Sequence, residues 1–312
     1  MKTIPILFTF DEKLILPAGV CITSLLENAD PDTFYDIFIL HSSDCNLEDS
    51  ILTRLQDRYP HSRFTFRQVE NEFRGAYEIR GIPETAYYRL VSPELIPEYE
   101  KFLYSDVDVI FREDLGKYYD IELGDHYFAA VDNGVRLRPS VQKYVSSLGL
   151  DPTNGYFYSG NLVINAALQR EDHMADRFRE CAKNDYYDQD MAIINIVCNK
   201  RILPLGPAYC LSNFLYKLIV TRRDEMVEIY GEDEILHALK CGIVHYNGAK
   251  PWKRACMNMD IWWDYFRKSP FFDESFCFDF WEEQTFLLER TSLAKRIKML
   301  LRYFRDKKHR EL

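Results

Sequence analysis

The sequence predicts an α/β fold, a mostly parallel mixed sheet with helices on both faces, followed by a basic helical segment. Three observations carry that expectation. Between residues 4 and 69, short apolar runs alternate with helical stretches, the pattern of parallel strands joined by right-handed crossovers. Residues 101–111, KFLYSDVDVIF, form an apolar run interrupted by two aspartates one residue apart. No G-x-G-x-x-G follows the first apolar run, so the glycines that a dinucleotide-binding turn needs are missing.

In chain order, residues 4–10 read as the first strand, which ends at Asp11. Pro17 then opens a helix with Val20, Ile22, Leu25 and Leu26 on its apolar face. Residues 34–40 read as a second strand, 47–59 as a helix and 64–69 as a third strand. Further on, 127–131 and 162–164 read as strands, and 169–183 as one charged helix. Residues 191–197 continue a helix behind Asp188, and 243–246 form a last short strand running into HYNGAKPW. There is no internal repeat, and no flexible linker precedes Lys268. The expected division is one large domain over 1–267 and a helical, basic segment over 268–312.

A chain of 312 residues with a formal net charge of −10 is a poor general partner for nucleic acid. Residues 290–312 reverse that sign, with nine Lys or Arg against Asp306 and Glu311. There Leu293, Ile297, Leu300, Leu301 and Phe304 recur at helical spacing, with Lys295, Arg296, Lys298, Arg302 and Arg305 between them. That is the pattern of a basic amphipathic helix on an anionic inner-leaflet lipid surface, although a helix packed on its own domain would show it too. The eight cysteines include no C-x-x-C, and most sit in apolar or helical contexts, as buried free thiols do. Met1-Lys2-Thr3 leads into a strand and not into a leader with an apolar core, and no run has the length of a membrane-spanning helix. The expected location is cytoplasmic, peripheral on the inner face of the membrane.

The D-x-D spacing occurs three times, and context separates the three. Asp30 and Asp32 flank Pro31 in a polar turn, a solvated arrangement. Asp188 and Asp190 open a helical pattern, where capping is the simplest role. Asp106 and Asp108 end an apolar strand, the edge at which an open α/β sheet presents its ligand crevice and to which Asp11 also belongs. Burying two carboxylates there costs several kcal/mol each, roughly, unless a cation or hydrogen bonds compensate them, and a divalent metal is the simplest compensation. His245 follows Ile243-Val244, and Lys250 stands five residues on, beyond Gly248. An imidazole can complete a metal's coordination and a lysine offers a compact charge to phosphate. Arg89, in AYYRL, is a second candidate anion binder, with a surface ion pair as the plainer alternative.

KFLYSDVDVIF resembles the strand and D-x-D of the retaining glycosyltransferases of family eight. So do ILFTFDEK, TAYYRL, FYSGNLVIN, YDQDMAIIN and HYNGAKPW, in order, over roughly residues 4–252. The resemblance implies a GT-A type nucleotide-sugar-binding fold and a metal-dependent transfer of a hexose, glucose or galactose, from a UDP-sugar to a saccharide acceptor of a cell-surface glycan such as lipopolysaccharide. It implies Asp106, Asp108 and His245 as ligands of Mn²⁺, with Mg²⁺ as the alternative ion. Thr9 and Asp11 would meet the uracil and ribose, Arg89 and Asp188 the donor sugar, and Gly248 and Lys250 the diphosphate. Val107, Ser159 and Gly160 complete the implied donor-binding set. Gln189 would lie near the anomeric carbon, with Asp188 and Asp190 as its catalytic neighbours.

Two positions depart from the family pattern: Tyr158 stands where members commonly have asparagine, and Lys13 where the bacterial galactosyltransferases have asparagine. Both bear on sugar identity and the ribose contacts. Residues 203–216, LPLGPAYCLSNFLY, have the composition of a sugar-gripping loop and equally that of a packed one. A metal-dependent nucleotidyl- or phosphoryltransferase is the competing reading, since paired aspartates at a strand end also serve that chemistry.

Overall fold

The computed structural model describes residues 1–45, 47, 52–70, 72–79 and 83–306. Among the described residues ten strands form two sheets: β1 (Lys2–Thr9), β2 (Thr33–Ser42), β3 (Ser62–Val69), β4 (Lys101–Ser105), β5 (Val109–Ile110), β6 (Phe128–Val131), β7 (Asn161–Asn165), β8 (Ile202–Leu205), β9 (Leu211–Ser212) and β10 (Val244–His245). The large sheet has the order β3-β2-β1-β4-β7-β6-β8, and the small one β5-β10-β9. Pairings β1–β2, β2–β3, β1–β4 and β6–β8 are parallel, while β7 runs antiparallel to both β4 and β6. Two reversals cancel, so β6 and β8 point the same way as β1 and β4. Their C-terminal ends share one edge of the sheet.

Strand side chains alternate between faces, and that period divides the core in two. Ile4, Ile6 and Phe8 of β1, with Leu103 and Val163, pack with Ile22 and Leu25 of the helix Ile15–Glu27 on one face. Leu7, Phe102, Tyr104 and Ile164 pack on the other, with Leu90 of the helix Tyr88–Leu95, Phe178 of Met174–Cys181 and Ile193 of Gln189–Cys198. Helices therefore cover both faces, as expected.

As expected, the apolar strand ends at the two aspartates: β4 stops at Ser105, residues 106–108 form a bend, and Val109–Ile110 resume as β5 in the small sheet. Two expectations need correction. The helix expected across 47–59 forms at Thr53–Arg58, and residues 48–51 of it lie outside the described residues. The single helix expected across 169–183 breaks into Ala166–Glu171 and Met174–Cys181, because His173 takes a left-handed φ of 49°.

Past β10, the helix Met259–Lys268 buries Trp262, Trp263 and Phe266 in a third cluster with Val20, Ile110, Val244 and Tyr246. The helix Glu274–Glu289 joins that cluster through Phe280, whose ring lies 4.6 Å from Trp263. The last described helix, Leu293–Asp306, leaves Leu293, Ile297, Leu300 and Leu301 exposed. Among the described residues no helix is long and apolar enough to cross a membrane.

Candidate active site

Asp106 and Asp108 stand in the bend after β4, and His245 closes β10, which lies beside β5. His245 opposes Val109 in that pairing, and Tyr246 N donates to the Asp108 carbonyl at 2.9 Å, so the small sheet carries the imidazole to the carboxylates. His245 Nε2 lies 3.6 Å from Asp106 Oδ2 and 3.3 Å from Asp108 Oδ1. One ligand atom from each of the three falls within 4.8 Å of the others.

Each carboxylate also has a protein cation. Arg89, buried, places Nη2 2.9 Å from Asp106 Oδ1, and Lys250 Nζ pairs with Asp108 Oδ2 while donating to the Tyr246 carbonyl at 2.8 Å. A surface ion pair for Arg89 is thus ruled out. Its Nη1 donates to the Ser159 carbonyl, its Nε to the Ala86 carbonyl, and its guanidinium lies over the Tyr104 ring. Burial works against the charged guanidinium, but Asp106 and Asp190 outweigh it and hold its pKa above the ordinary value. Burial likewise opposes the Asp108 carboxylate, yet Lys250 and His245 keep its pKa well below the usual range. Burial pushes His245 down, and Asp108 reverses that effect and raises it to about 10.

The residues present fit a divalent cation. Two carboxylates and one imidazole are the hard oxygen and borderline nitrogen donors suited to Mn²⁺ or Mg²⁺. Gly160 leaves the space they need: a Cβ there would sit 2.4 Å from His245 Cε1 and 2.7 Å from Asp106 Oδ2. The Gly160 carbonyl accepts from Asp106 N at 2.7 Å, so the same glycine holds the bend.

Of the other expected residues, Thr9 reaches this corner through Tyr104 and Asp190 through Arg89, while Asp11, Asp188 and Gly248 make no direct contact with its carboxylates or imidazole among the described bonds. Thr9 ends β1 and lies 3.1 Å from the Tyr104 hydroxyl, which donates to Asp106 Oδ1 at 2.7 Å. Asp11, two residues beyond Thr9, accepts from Lys13 N at 3.0 Å and caps a short turn; Lys13 itself is exposed. The Val107 side chain points into the core. Gly248 is exposed, with only Asn213 near the position of a Cβ. Asp188 stands at the start of the helix Gln189–Cys198 without a side-chain cap bond, and instead accepts from the Tyr156 hydroxyl at 3.3 Å. Gln189 is buried in a left-handed conformation (φ 43°), an outlier of the kind that marks functional positions, and its amide donates to the Tyr77 carbonyl at 3.0 Å. Asp190 is buried 3.4 Å from Arg89 Nε, and burial raises its pKa although Arg89 opposes the shift.

Two residues that sequence reasoning did not single out belong here. Tyr104 bridges Thr9 to Asp106, and Cys210 touches His245. Tyr104 alternates with Phe102 on one face of β4, a period that could have placed it beside Asp106. In the segment 203–216, Pro207 through Ser212 are buried, so its centre is core, while Pro204 near its start and Phe214 near its end reach solvent.

A cavity of about 500 Å³ opens where β6 and β8 end, on the same sheet edge. Asp132, Arg136, Asn154, Phe157, Tyr230 and Glu234 line it. The Asp132 carboxylate accepts from the backbone of Gly134, Val135 and Tyr156.

A sheet of this order with an acidic corner at the ends of β1 and β4 has the GT-A architecture. It superposes on the galactosyltransferase LgtC, solved with donor and acceptor sugar analogs, with a TM-score of 0.72 and 24% identity over 86% of this chain and 96% of that one. The chain belongs to glycosyl transferase family 8, whose model matches residues 5–256. It is 26% identical to glycosyltransferase GlyB of Streptococcus pneumoniae over 60% of its own length and 43% of GlyB, so it spans less than half of that relative. It is 24% identical to lipopolysaccharide 1,2-glucosyltransferase of Escherichia coli, over 80% of this chain and 74% of that protein.

Proposed function

We propose that this glycosyltransferase moves a hexose, glucose or galactose, from a UDP-sugar to a saccharide acceptor of a cell-surface glycan, with retention at the anomeric carbon. A divalent cation, Mn²⁺ before Mg²⁺, is held by Asp106, Asp108 and His245. The observation that carries the proposal is the convergence of those three ligand atoms within 4.8 Å, with Lys250 and Arg89 at their flanks. The name of the lipopolysaccharide glucosyltransferase relative supports the glycan class.

The bound cation supplies Lewis-acid neutralisation of the charge that develops on the departing diphosphate. Lys250 adds a second positive charge at the same corner, and Gly248 leaves the backbone open for the phosphates. Thr9 and Asp11 meet the uridine, with Val107 contributing only its backbone. Arg89 holds Asp106 and the Ser159-Gly160 turn under the donor sugar, and Asp188 faces that sugar from the next helix. Buried Asp190 is engaged by Arg89, and the Gln189 amide is anchored at Tyr77, which makes neither side chain a ready nucleophile. Front-face attack follows: the acceptor hydroxyl forms the new glycosidic bond as the bond to phosphate breaks, and its proton passes to the leaving phosphate oxygen. The cavity beside Asp132 takes the acceptor, its carboxylates and aromatic rings matching hydroxyls and sugar faces.

The catalytic unit is residues 1–267. Residues 268–312 attach it peripherally to an anionic membrane on the cytoplasmic side, a reading supported by the exposed apolar residues of the helix Leu293–Asp306.

The test is donor turnover. The full chain with Mn²⁺ and no acceptor should slowly release UDP from one UDP-hexose, and intact mass should show no hexose adduct on Gln189 or Asp190. Nucleotide incorporation from a nucleoside triphosphate, or binding without turnover, overturns the transferase reading. An adduct overturns the front-face step.

A further inference from the structure

The corner uses one nitrogen of His245, and the structure shows what holds the other. Nδ1 lies 3.3 Å from the sulfur of Cys210, which is fully buried. That contact is built by two strands. β9 runs parallel to β10 with Ser212 opposite His245, and two backbone bonds, Leu211 N to the Ile243 carbonyl and Ile243 N to the Ala208 carbonyl, both 2.7 Å, fix the register. Two further groups close the ring in. The Tyr158 ring stands edge-on at 6.5 Å, its hydroxyl accepting from Ser212 Oγ at 2.9 Å, and Gly160 approaches Cε1 too closely for a side chain.

An imidazole that gives Nε2 to a cation carries its proton on Nδ1, and that proton needs an acceptor. A half-turn about Cβ–Cγ would swap Nε2 for Cε1 and present carbon to the carboxylates. Packing alone discriminates poorly between the two orientations, because the flipped rings have nearly the same shape. The sulfur does discriminate, since only one orientation places an N–H against it.

We infer that Cys210 is a positioning residue for the cation site: its sulfur accepts the Nδ1 proton of His245 and thereby keeps Nε2 aimed at Asp106 and Asp108. The inference rests on the cation reading proposed above. It assigns to a thiol the task that a carboxylate or carbonyl usually performs at metal-bound histidines. Tyr158, at the position that departs from the family pattern, is the wall that keeps the ring against the sulfur.

The experiment measures the Mn²⁺ dissociation constant of the full chain, without donor, by electron paramagnetic resonance of the free ion. The variants are Cys210→Ser, Cys210→Val and Asp108→Asn, and each is melted without Mn²⁺ to establish folding. Cys210→Val keeps similar bulk without an acceptor and should weaken Mn²⁺ binding about tenfold or more, as lost outer partners do elsewhere. Cys210→Ser keeps an acceptor and should bind much more tightly than Cys210→Val. If the valine protein does not fold, Cys210→Ala takes its place with the same expectation. Valine or alanine binding Mn²⁺ like the unmodified chain overturns the inference, and so does serine failing equally, because packing alone would then explain the site. Asp108→Asn with undiminished Mn²⁺ binding overturns the cation reading itself, whatever the Cys210 variants do.

Discussion

Replacing Asp108 by asparagine tests the corner in both its states. Two carboxylates one residue apart suggest repulsion in the metal-free protein, from which Asp108→Asn would give relief and a raised melting temperature. The structure reverses that expectation, because Asp106 has Arg89 and Asp108 has Lys250 and His245. Asparagine keeps the shape and one acceptor but loses the charge that both cations face. A fully buried pair broken this way costs about 3–5 kcal/mol and an exposed one under about 1 kcal/mol. The Lys250 side chain is 31% exposed, so the cost should fall between, at about 1–3 kcal/mol, or a few degrees of melting temperature.

The sign with pH follows from the depressed pKa of Asp108. Its contribution is fully present above the unfolded carboxylate value of about 3.9 and is lost as pH falls through the lower folded value. The difference between unmodified protein and variant should therefore be largest near neutrality and close in strong acid. With UDP and Mn²⁺ at about a hundred times the dissociation constant, the unmodified protein should gain about 2.7 kcal/mol and Asp108→Asn nearly nothing. Thermal melts with and without UDP plus Mn²⁺ measure both effects, with Asp30→Asn as a control expected to change neither. The reasoning fails if the variant keeps its Mn²⁺-dependent UDP stabilisation, or if its metal-free form does not fold.

Gly160→Ala should abolish Mn²⁺ binding in calorimetry while the metal-free melt moves modestly, because the new methyl would occupy the space of His245 Cε1 and Asp106 Oδ2; undiminished binding would show that these groups can shift apart. Mn²⁺ affinity should rise with pH by up to about tenfold per unit below pH 10, since Asp108 holds a proton on His245 that a cation must displace, and a pH-independent dissociation constant would remove His245 from the ligand set. With anionic vesicles at low salt, the full chain should co-sediment better than a chain ending at Glu289; equal pelleting would mean that the helix Leu293–Asp306 serves another purpose.

The strands that the sequence announces are those whose burial is continuous. Residues of β1, β2 and β4 are apolar on both faces because helices cover both, and runs of that kind are visible without a partner. The direction of β7 was not legible, since an antiparallel strand buried on both faces has the same composition as a parallel one. Nor was the break at His173: the helical spacing of Leu168, Ala175 and Phe178, which pack in one cluster, runs through it, and one backbone angle carries the change. The D-x-D was legible as a motif, but its compensation by Arg89 and Lys250 depends on contacts across 17 and 142 positions of sequence (89 to 106 and 108 to 250), which no local pattern records. Cys210 looked like one buried thiol among eight.

The cations already paired with the carboxylates bear on how the site works. Asp108 divides its oxygens, Oδ1 toward His245 and Oδ2 toward Lys250, while Asp106 divides its own between Arg89 and His245. A divalent cation entering between them competes with a proton on His245 and with the ammonium of Lys250 for the same negative charge. Lys250 hangs on a flexible stem, and its second contact is a single carbonyl, so it can turn toward phosphate oxygens without leaving a buried charge alone. Arg89 cannot do the same: it is held by two backbone carbonyls and Asp190 as well as Asp106. The division of labour follows from that difference in tethering. If donor and cation bind as proposed above, Lys250 is the cation able to exchange carboxylate for diphosphate, and Arg89 is the one that keeps Asp106 in place.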